Sequence, residues 1–129
     1  MIDLSSASAV KRVRVMTCNT RGEIGFADVD GLRDMQQLVG GLITLVACGD
    51  VDCYVNDEGL LDGLDPNPTA VAICKSFGSD PGYLVGDAFF TGGVDAEGNT
   101  LPIDRESACK AATVAITARI EAAVSEGRR

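Results

Sequence analysis

The chain contains no histidine and no tryptophan, and its aromatic residues are limited to two Tyr and four Phe among 129 residues. Without an imidazole, a histidine-ligated zinc site, a Ser-His-Asp or Cys-His catalytic set and a histidine pH switch are all excluded. Basic residues are scarce as well, since 11 Lys and Arg stand against 19 Asp and Glu, for a net charge of −8. Because binding along a nucleic-acid backbone needs clustered Lys and Arg, we do not expect it.

Long apolar runs are also missing. The longest, residues 42–48, has the length of a strand, whereas a helix that crosses a membrane needs about 20 apolar residues. The first ten residues show neither the charged leading region nor the apolar stretch of a secretory signal. We therefore expect no membrane contact and a cytoplasmic location, in which thiols stay reduced.

The five cysteines fit neither a disulfide framework nor a common zinc spacing, because their number is odd and no Cys-x-x-Cys occurs. We interpret them as small buried hydrophobic residues, with a reactive thiol, a metal ligand or a disulfide as the alternatives. No metal site and no cofactor are predicted. The cysteines are Cys18, Cys48, Cys53, Cys74 and Cys109.

Hydrophobic residues make up 46% of the chain, enough for a single domain with its own core. Residues 1–10 are small and polar and are predicted to form a flexible N-terminus, so that the domain spans 11–129. A middle helix is predicted over about 30–40, capped by Asp30 and ended by the glycines that follow Val39. Its buried face is predicted to carry Leu32, Met35 and Val39.

Short strands are predicted on either side of this helix. Residues 42–47 form a continuous apolar run and are expected to be a buried strand, with 52–56 as its antiparallel partner. Residues 69–77 suit a helix or a strand, and the sequence does not decide between them. The remaining strand candidates are 11–16, 23–28, 83–85, 88–91 and 100–103.

A long C-terminal helix is predicted over about 104–126. Asp104 can cap it and Gly127 can end it, and the segment is rich in alanine. Two arrangements remain open: the helix packs on its own sheet, or it forms a homodimer by docking against a second copy, which alanine surfaces permit. Its apolar positions recur at spacings of three and four, at Cys109, Ala112, Ile116, Ile120 and Ala123.

The segment 56–68 consists of turn-forming residues. Asparagine side chains bond to nearby backbone groups, glycine permits positive φ, and proline fixes φ. A loop braced in this way either positions a binding surface or closes the fold. The binding residues predicted here are Asn56, Asp57, Glu58, Gly59, Asp62, Gly63, Asp65, Asn67 and Pro68.

The negative charge is concentrated in the middle of the chain. Residues 50–106 contain 12 Asp and Glu but only Lys75 and Arg105, for a net charge of −10, whereas both ends of the chain are mildly basic. Such a segment suits a basic partner protein, although solubility is the ordinary reason for an acidic surface.

No catalytic residues are predicted. Acid–base chemistry needs two carboxyl groups in contrasting environments, and the acids of segment 56–68 have no apolar pocket in the sequence around them. An enzyme would require Asp57, Asp62 and Asp87 to gather in one concave site. We therefore expect a protein that is not an enzyme.

Three ordered blocks of the sequence resemble a known family. They are LRDMQQLVGGLI at 32–43, CYVNDEGLLDGLDPNP at 53–68 and LVGDAFFTG at 84–92. Together they resemble the domain of unknown function 3846, a small family of bacteriophages, plasmids and other bacterial mobile elements, over about 13–98. The resemblance implies an accessory protein in the cytoplasm of a bacterial host and brings no reaction, cofactor or catalytic residue.

These observations predict a single α+β domain with a mostly antiparallel sheet of four to six short strands, a middle helix and a long C-terminal helix. The leading hypothesis for function is a non-enzymatic accessory protein that binds a host protein. The alternative is a small-molecule binder, such as a sponge for a nucleotide signal. Its pocket would need Arg21, Arg33 or Lys75 near the glycine-rich turns to offset phosphate charge.

Overall fold

Residues 12–127 are described by the computed structural model of the chain. Within that range, a five-stranded antiparallel sheet carries three helices. This confirms the predicted α+β class, while the predicted flexible segment 1–10 lies outside the described residues. The strands are β1 (Val13–Cys18), β2 (Ile24–Val29), β3 (Ile43–Cys48), β4 (Val51–Asn56) and β5 (Ala88–Thr91). The helices are α1 (Leu32–Val39), α2 (Pro68–Ser76) and α3 (Arg105–Gly127).

The strand order is β2-β1-β5-β4-β3. Two hairpins form its halves: β1 pairs with β2, and β3 pairs with β4 through a turn at Gly49 and Asp50. The short strand β5 lies between the hairpins and pairs antiparallel with both β1 and β4. The predicted pairing of 42–47 with 52–56 is therefore confirmed; β3 begins and ends one residue later than predicted, and β4 begins one residue earlier.

One face of the sheet is covered by α1. Met35 and Val39 of this helix are buried with Val15, Val29 and Phe89 of the sheet. Two details of the predicted helix are wrong, because its N-cap is Gly31 rather than Asp30, and Leu32 is exposed. The side chain of Asp34 instead accepts a hydrogen bond from the Asp30 N–H at 2.8 Å, which satisfies the backbone just before the helix.

The other face is covered by α2 and α3. Segment 69–77, left open by the sequence, lies almost entirely within a helix, because Pro68 takes its first position and the Asn67 side chain caps it. Ile73 and Cys74 of this helix are buried in the main core together with Met16 and Phe90 of the sheet.

The length of α3 agrees with the prediction, and the Asp104 side chain accepts from the Ser107 N–H at 2.7 Å. The predicted apolar positions, however, do not mark its buried face. Ala111 and Ala115 are buried, whereas Ile116 and Ile120 are exposed. Helical periodicity defines which residues share a face. Because alanines occur on both sides of this helix and pack equally well on either, the periodicity did not identify which side meets the core.

Strand β3 also differs from its prediction. It is an edge strand within the described part of the chain, and Leu45 is exposed along with the neighbouring Leu42; the expectation of a fully buried strand was wrong. Segments 83–85 and 100–103 are not strands either, since each contributes only a single bridge, Pro66 with Val85 and Val94 with Thr100.

Candidate functional site

Segment 56–68 is held at both ends by a buried asparagine. The Asn56 Nδ2 donates to the Val39 carbonyl at 3.1 Å, and its Oδ1 accepts from the Glu58 N–H at 2.7 Å. Asn67 is fully buried; its Nδ2 donates to the carbonyls of Cys18 at 3.1 Å and Gly86 at 2.9 Å. Both asparagines therefore connect the segment to the core and do not face solvent.

The glycines and the proline of the segment also have structural positions. Gly63 has the expected positive φ of 68°, but Gly59 is required for a different reason. A Cβ on Gly59 would lie 2.6 Å from the Val85 side chain, so the close approach of the loop to the 83–85 segment demands glycine there. Pro68 is exposed at the first position of α2.

The acidic residues of the segment face solvent. In the described part of the chain their carboxylates take part in no hydrogen bond or ion pair, unlike Asp80 and Asp104, whose side chains accept from backbone N–H groups of a turn and a helix start. Unpaired carboxylates remain available to a cation from outside. These residues are Asp57, Glu58, Asp62 and Asp65.

An apolar groove runs beside these acids. Its volume is about 410 Å³, and the face of the edge strand β3 that carries Thr44 and Val46 forms one wall. Asp57, Glu58 and Gly59 line it from the loop, and Tyr83 lines it from the segment that follows α2. We call this feature, together with the outer edge of β3, the β3 groove.

Large apolar side chains stand at the rim of the β3 groove. Leu60 and Leu61 at the top of the loop are 70% and 86% exposed, and Tyr83 is 63% exposed. Exposed apolar residues are common singly, but a group of them beside one groove is typical of binding surfaces. Thr44 and Val46 were not predicted here because 42–47 was assigned to a buried strand, and Tyr83 was not predicted because 83–85 was assigned to a short strand. The absence of charge from 42–47 was the available signal.

The other candidate sets do not come together in the cavities described. Asp87 and Glu23 line one notch at the end of the sheet, whereas Asp57 lines the β3 groove. Lys75 lines an apolar cavity of about 570 Å³ with Tyr83 and Leu84. Arg21 lies in the turn between β1 and β2 and Arg33 on α1, so each of the three proposed phosphate-binding cations belongs to a different element.

Four of the five cysteines are buried free thiols, and Cys109 is exposed on α3. Burial raises the pKa of Cys18 and, together with a hydrogen bond to Cys74, the pKa of Cys48, in each case to about 12. Thiols with so high a pKa are neutral and unreactive at neutral pH. Cys74 differs, because its hydrogen bonds with Cys53 and Cys48 lower its pKa to about 7. Among residues 12–127, no group of three or more Cys, Asp or Glu side chains is placed to hold a metal ion.

Comparison with known protein families gives a match. A family model described as Domain of unknown function (DUF3846) matches residues 13–114. The match therefore extends beyond the predicted end at 98 and includes the first half of α3. No curated protein and no solved structure gives a match. In addition, no helix within residues 12–127 is long and apolar enough to cross a membrane.

Proposed function

Since this chain belongs to the DUF3846 family, whose description names no activity, we propose its function from the site itself: it is a non-enzymatic accessory protein that binds a host protein in the β3 groove. The occupant is an extended segment with alternating apolar side chains and at least one Lys or Arg. The observation that carries the proposal is an uncharged sheet edge beside an apolar groove lined by unpaired carboxylates.

Backbone pairing supplies the first part of the recognition. The Asp57 N–H donates to the Leu42 carbonyl at 2.8 Å, and bonded pairs alternate along an antiparallel ladder. The backbone groups of Ile43, Leu45 and Ala47 therefore point away from β4. An extended peptide can add a strand at such an edge, with main-chain hydrogen bonds giving affinity and side-chain pockets giving specificity.

Side chains supply the second part. Every other residue of an added strand points to the face that carries Thr44 and Val46 and so enters the groove. Its apolar side chains contact Leu60, Leu61 and Tyr83. A basic residue near Asp57 forms a charge-assisted hydrogen bond with a carboxylate that otherwise has no partner in the described structure. The resemblance to proteins of phages and mobile elements suggests a bacterial protein as the natural partner.

The test selects displayed random peptides on the full chain and measures the affinity of a selected peptide by fluorescence anisotropy. We expect a consensus with alternating apolar positions and a Lys or Arg. Binding should slow hydrogen exchange at the amides of Ile43, Leu45 and Ala47. Leu61→Glu should weaken binding at least about tenfold, because it places a charge in the apolar contact. The matched control is Leu32→Glu, an exposed leucine on the opposite face of the sheet, which should bind as the unaltered chain does.

Three results would each contradict the proposal. One is a consensus without basic residues. Another is protection from exchange at β2 or α3 rather than at β3. The third is an equal loss of affinity in Leu61→Glu and Leu32→Glu, which would indicate a general effect of added charge.

A second candidate function rests on the cavity beside Lys75. Its wall is apolar apart from that cation, and Tyr83 offers a ring on which a base can stack. This cavity suits a small amphipathic anion such as a nucleotide. A nucleotide that binds the native state must raise the melting temperature; a panel that produces no shift at saturating ligand, or a shift that survives Lys75→Ala, would contradict this candidate.

A further inference from the structure

The end of α3 after Arg119 extends beyond the body of the protein, whereas the Arg119 side chain still lies beside Gly22 in the turn between β1 and β2. Residues 119–126 are all exposed, although they include Ile120 and Val124. Ile116 and Ile120 expose 57% and 58% of their surface. A helical segment without tertiary contacts is only marginally stable in water. Packing of its apolar side against another surface would therefore stabilise this end of the helix.

The uncovered side is a continuous apolar face. Ile116, Ile120, Ala123 and Val124 are spaced by three and four residues and so lie on the same side of the helix. Ile116, Ile120 and Ala123 border a shallow groove of about 280 Å³ together with Arg119. The residues matched by the family model end at 114, so this face lies outside the matched part of the chain.

We propose that this face binds the same face of a second copy of the chain, with the two α3 helices antiparallel. In that arrangement Ile120 packs against Ala123 of the second copy, and Ile116 packs against the position of its Gly127. Each large side chain therefore meets a small residue. Ile116 and Ala123 are seven residues apart, as are Ile120 and Gly127, which is the repeat found where two helices pack along their length. The twofold symmetry of a dimer repeats every contact.

Charge complementarity identifies the second copy as the occupant. Arg119 and Glu126 are seven residues apart and flank the apolar face on the same side. Arg119 is near enough to Glu23 of its own chain to help lower the pKa of that carboxyl, but it forms no ion pair within the described residues. Antiparallel pairing places Arg119 of each copy opposite Glu126 of the other, which gives two ion pairs. The same arrangement keeps the two acidic segments 50–106 at opposite ends of the helix pair, which limits repulsion between chains of net charge −8.

The first test is the solution mass of the full chain by light scattering and sedimentation. We expect twice the chain mass of 13.4 kDa at micromolar concentrations and dissociation on dilution. Ile120→Glu should give a monomer. Its circular dichroism at 222 nm should fall by no more than the contribution of the last turns of α3. The matched control, Ala122→Glu, adds the same charge on the side of the helix that points away from the seam and should remain a dimer.

The second test reverses the charges. Arg119→Glu and Glu126→Arg should each raise the dimer dissociation constant about fivefold or more, because each places like charges opposite one another twice. The double variant should restore the original value. The proposal is overturned by a monomer at every concentration, by a dimer that persists in Ile120→Glu, or by a double variant as weak as the single ones. If the chain is a monomer, the apolar face of α3 must be covered by something other than a second copy, either residues 1–11 or a different protein.

Discussion

At the scale of the residue, Asn67 is the side chain on which most of the fold around the candidate site depends. It caps α2 by accepting from the Ala70 N–H at 3.0 Å, and its Nδ2 bonds to the carbonyls of Cys18 and Gly86. Asn67→Ala leaves those buried groups unpaired and should lower the free energy of unfolding by about 3 kcal/mol in urea denaturation.

The control for this prediction is Asn99→Ala. The Asn99 Nδ2 also donates a hydrogen bond, to the Asp95 carboxylate at 3.2 Å, but it does so at the surface. Its loss should change stability by less than about 0.5 kcal/mol. If both variants lower the free energy of unfolding equally, the buried hydrogen bonds of Asn67 stabilise the protein no more than an exposed hydrogen bond does.

Two of the buried thiols, Cys18 and Cys48, make stability depend on pH in the alkaline range. An unfolded thiol ionises near its ordinary pKa of 9.0, whereas burial raises the pKa of Cys18 and Cys48 to about 12 in the folded chain. The stabilising contribution of each neutral thiol is therefore complete below pH 9 and is lost as pH rises towards 12. At pH 10.5 the loss is about 2 kcal/mol for Cys18, and the loss for Cys48 has the same sign.

Urea denaturation at pH 8 and pH 10.5, with a reductant present, measures this loss. Cys18→Ala and Cys48→Ala should each reduce the difference between the two pH values. Cys109→Ala, at an exposed position, should leave it unchanged. An identical pH dependence in all three variants would mean that the buried thiols do not cause it.

At the scale of the element, α3 shows what a sequence pattern can and cannot predict. Its length and its cap at Asp104 follow from local chemistry, which the sequence contains in full. The buried side of α3 does not, because it is decided by contact with α2, a partner that is distant in the chain. For the same reason the sequence predicted Asn67 to bond neighbouring backbone, but not its bonds to Cys18 and Gly86, and it placed β3 in the core rather than at the edge.

The buried side of α3 can be verified by overpacking. Ala111 is fully buried, so Ala111→Leu forces a larger side chain into a filled core and should destabilise the protein by about 1–3 kcal/mol. Ala122→Leu lies on the same side of the helix but beyond the body, where it is exposed, and should cost less than about 0.5 kcal/mol. Thermal unfolding compares the two variants; equal melting temperatures would contradict the assigned face.

The turn between β3 and β4 depends on Gly49. Its φ is 73°, and a Cβ there would lie 2.6 Å from the Phe77 carbonyl oxygen, so that the hairpin packs directly on the end of α2. Gly40 has a similar φ of 76° but open space around it. Both alanine variants should therefore lose about 1 kcal/mol through backbone conformation.

Gly49→Ala should lose a further 1–3 kcal/mol or so, because the Phe77 carbonyl must move. Urea denaturation of the two variants isolates this steric contribution, since the conformational cost is common to both. Equal losses would show that the hairpin and α2 can separate freely.

At the scale of the whole molecule, the positions of the acidic residues say more about binding than the net charge of −8 does. Residues 50–106 carry a net charge of −10, yet the acids within it have two distinct uses. Asp80 and Asp104 close a turn and cap a helix, so their carboxylate oxygens serve the fold as hydrogen-bond acceptors. Asp57 and Glu58 have no such bond in the described structure and line the β3 groove, so the acidity of the groove is separable from the stability of the protein.

This separation gives a prediction for the binding of the selected basic peptide. Association steered by unpaired charge weakens as salt shortens the Debye length, which is about 10 Å at 0.1 M and about 3 Å at 1 M. The variant Asp57→Asn, Glu58→Gln, Asp62→Asn should bind the peptide about tenfold more weakly at low salt and should lose most of the salt dependence. Its melting temperature should not change, because none of the three carboxylates takes part in a bond within the described structure.

The control replaces three exposed acids elsewhere, Glu97, Glu106 and Glu121, with Gln and so makes the same change in net charge. Anisotropy titrations across salt concentrations compare the control with the Asp57, Glu58 and Asp62 variant. If both lose the same affinity, the effect is due to total charge, and the carboxylates of the β3 groove have no specific part in binding.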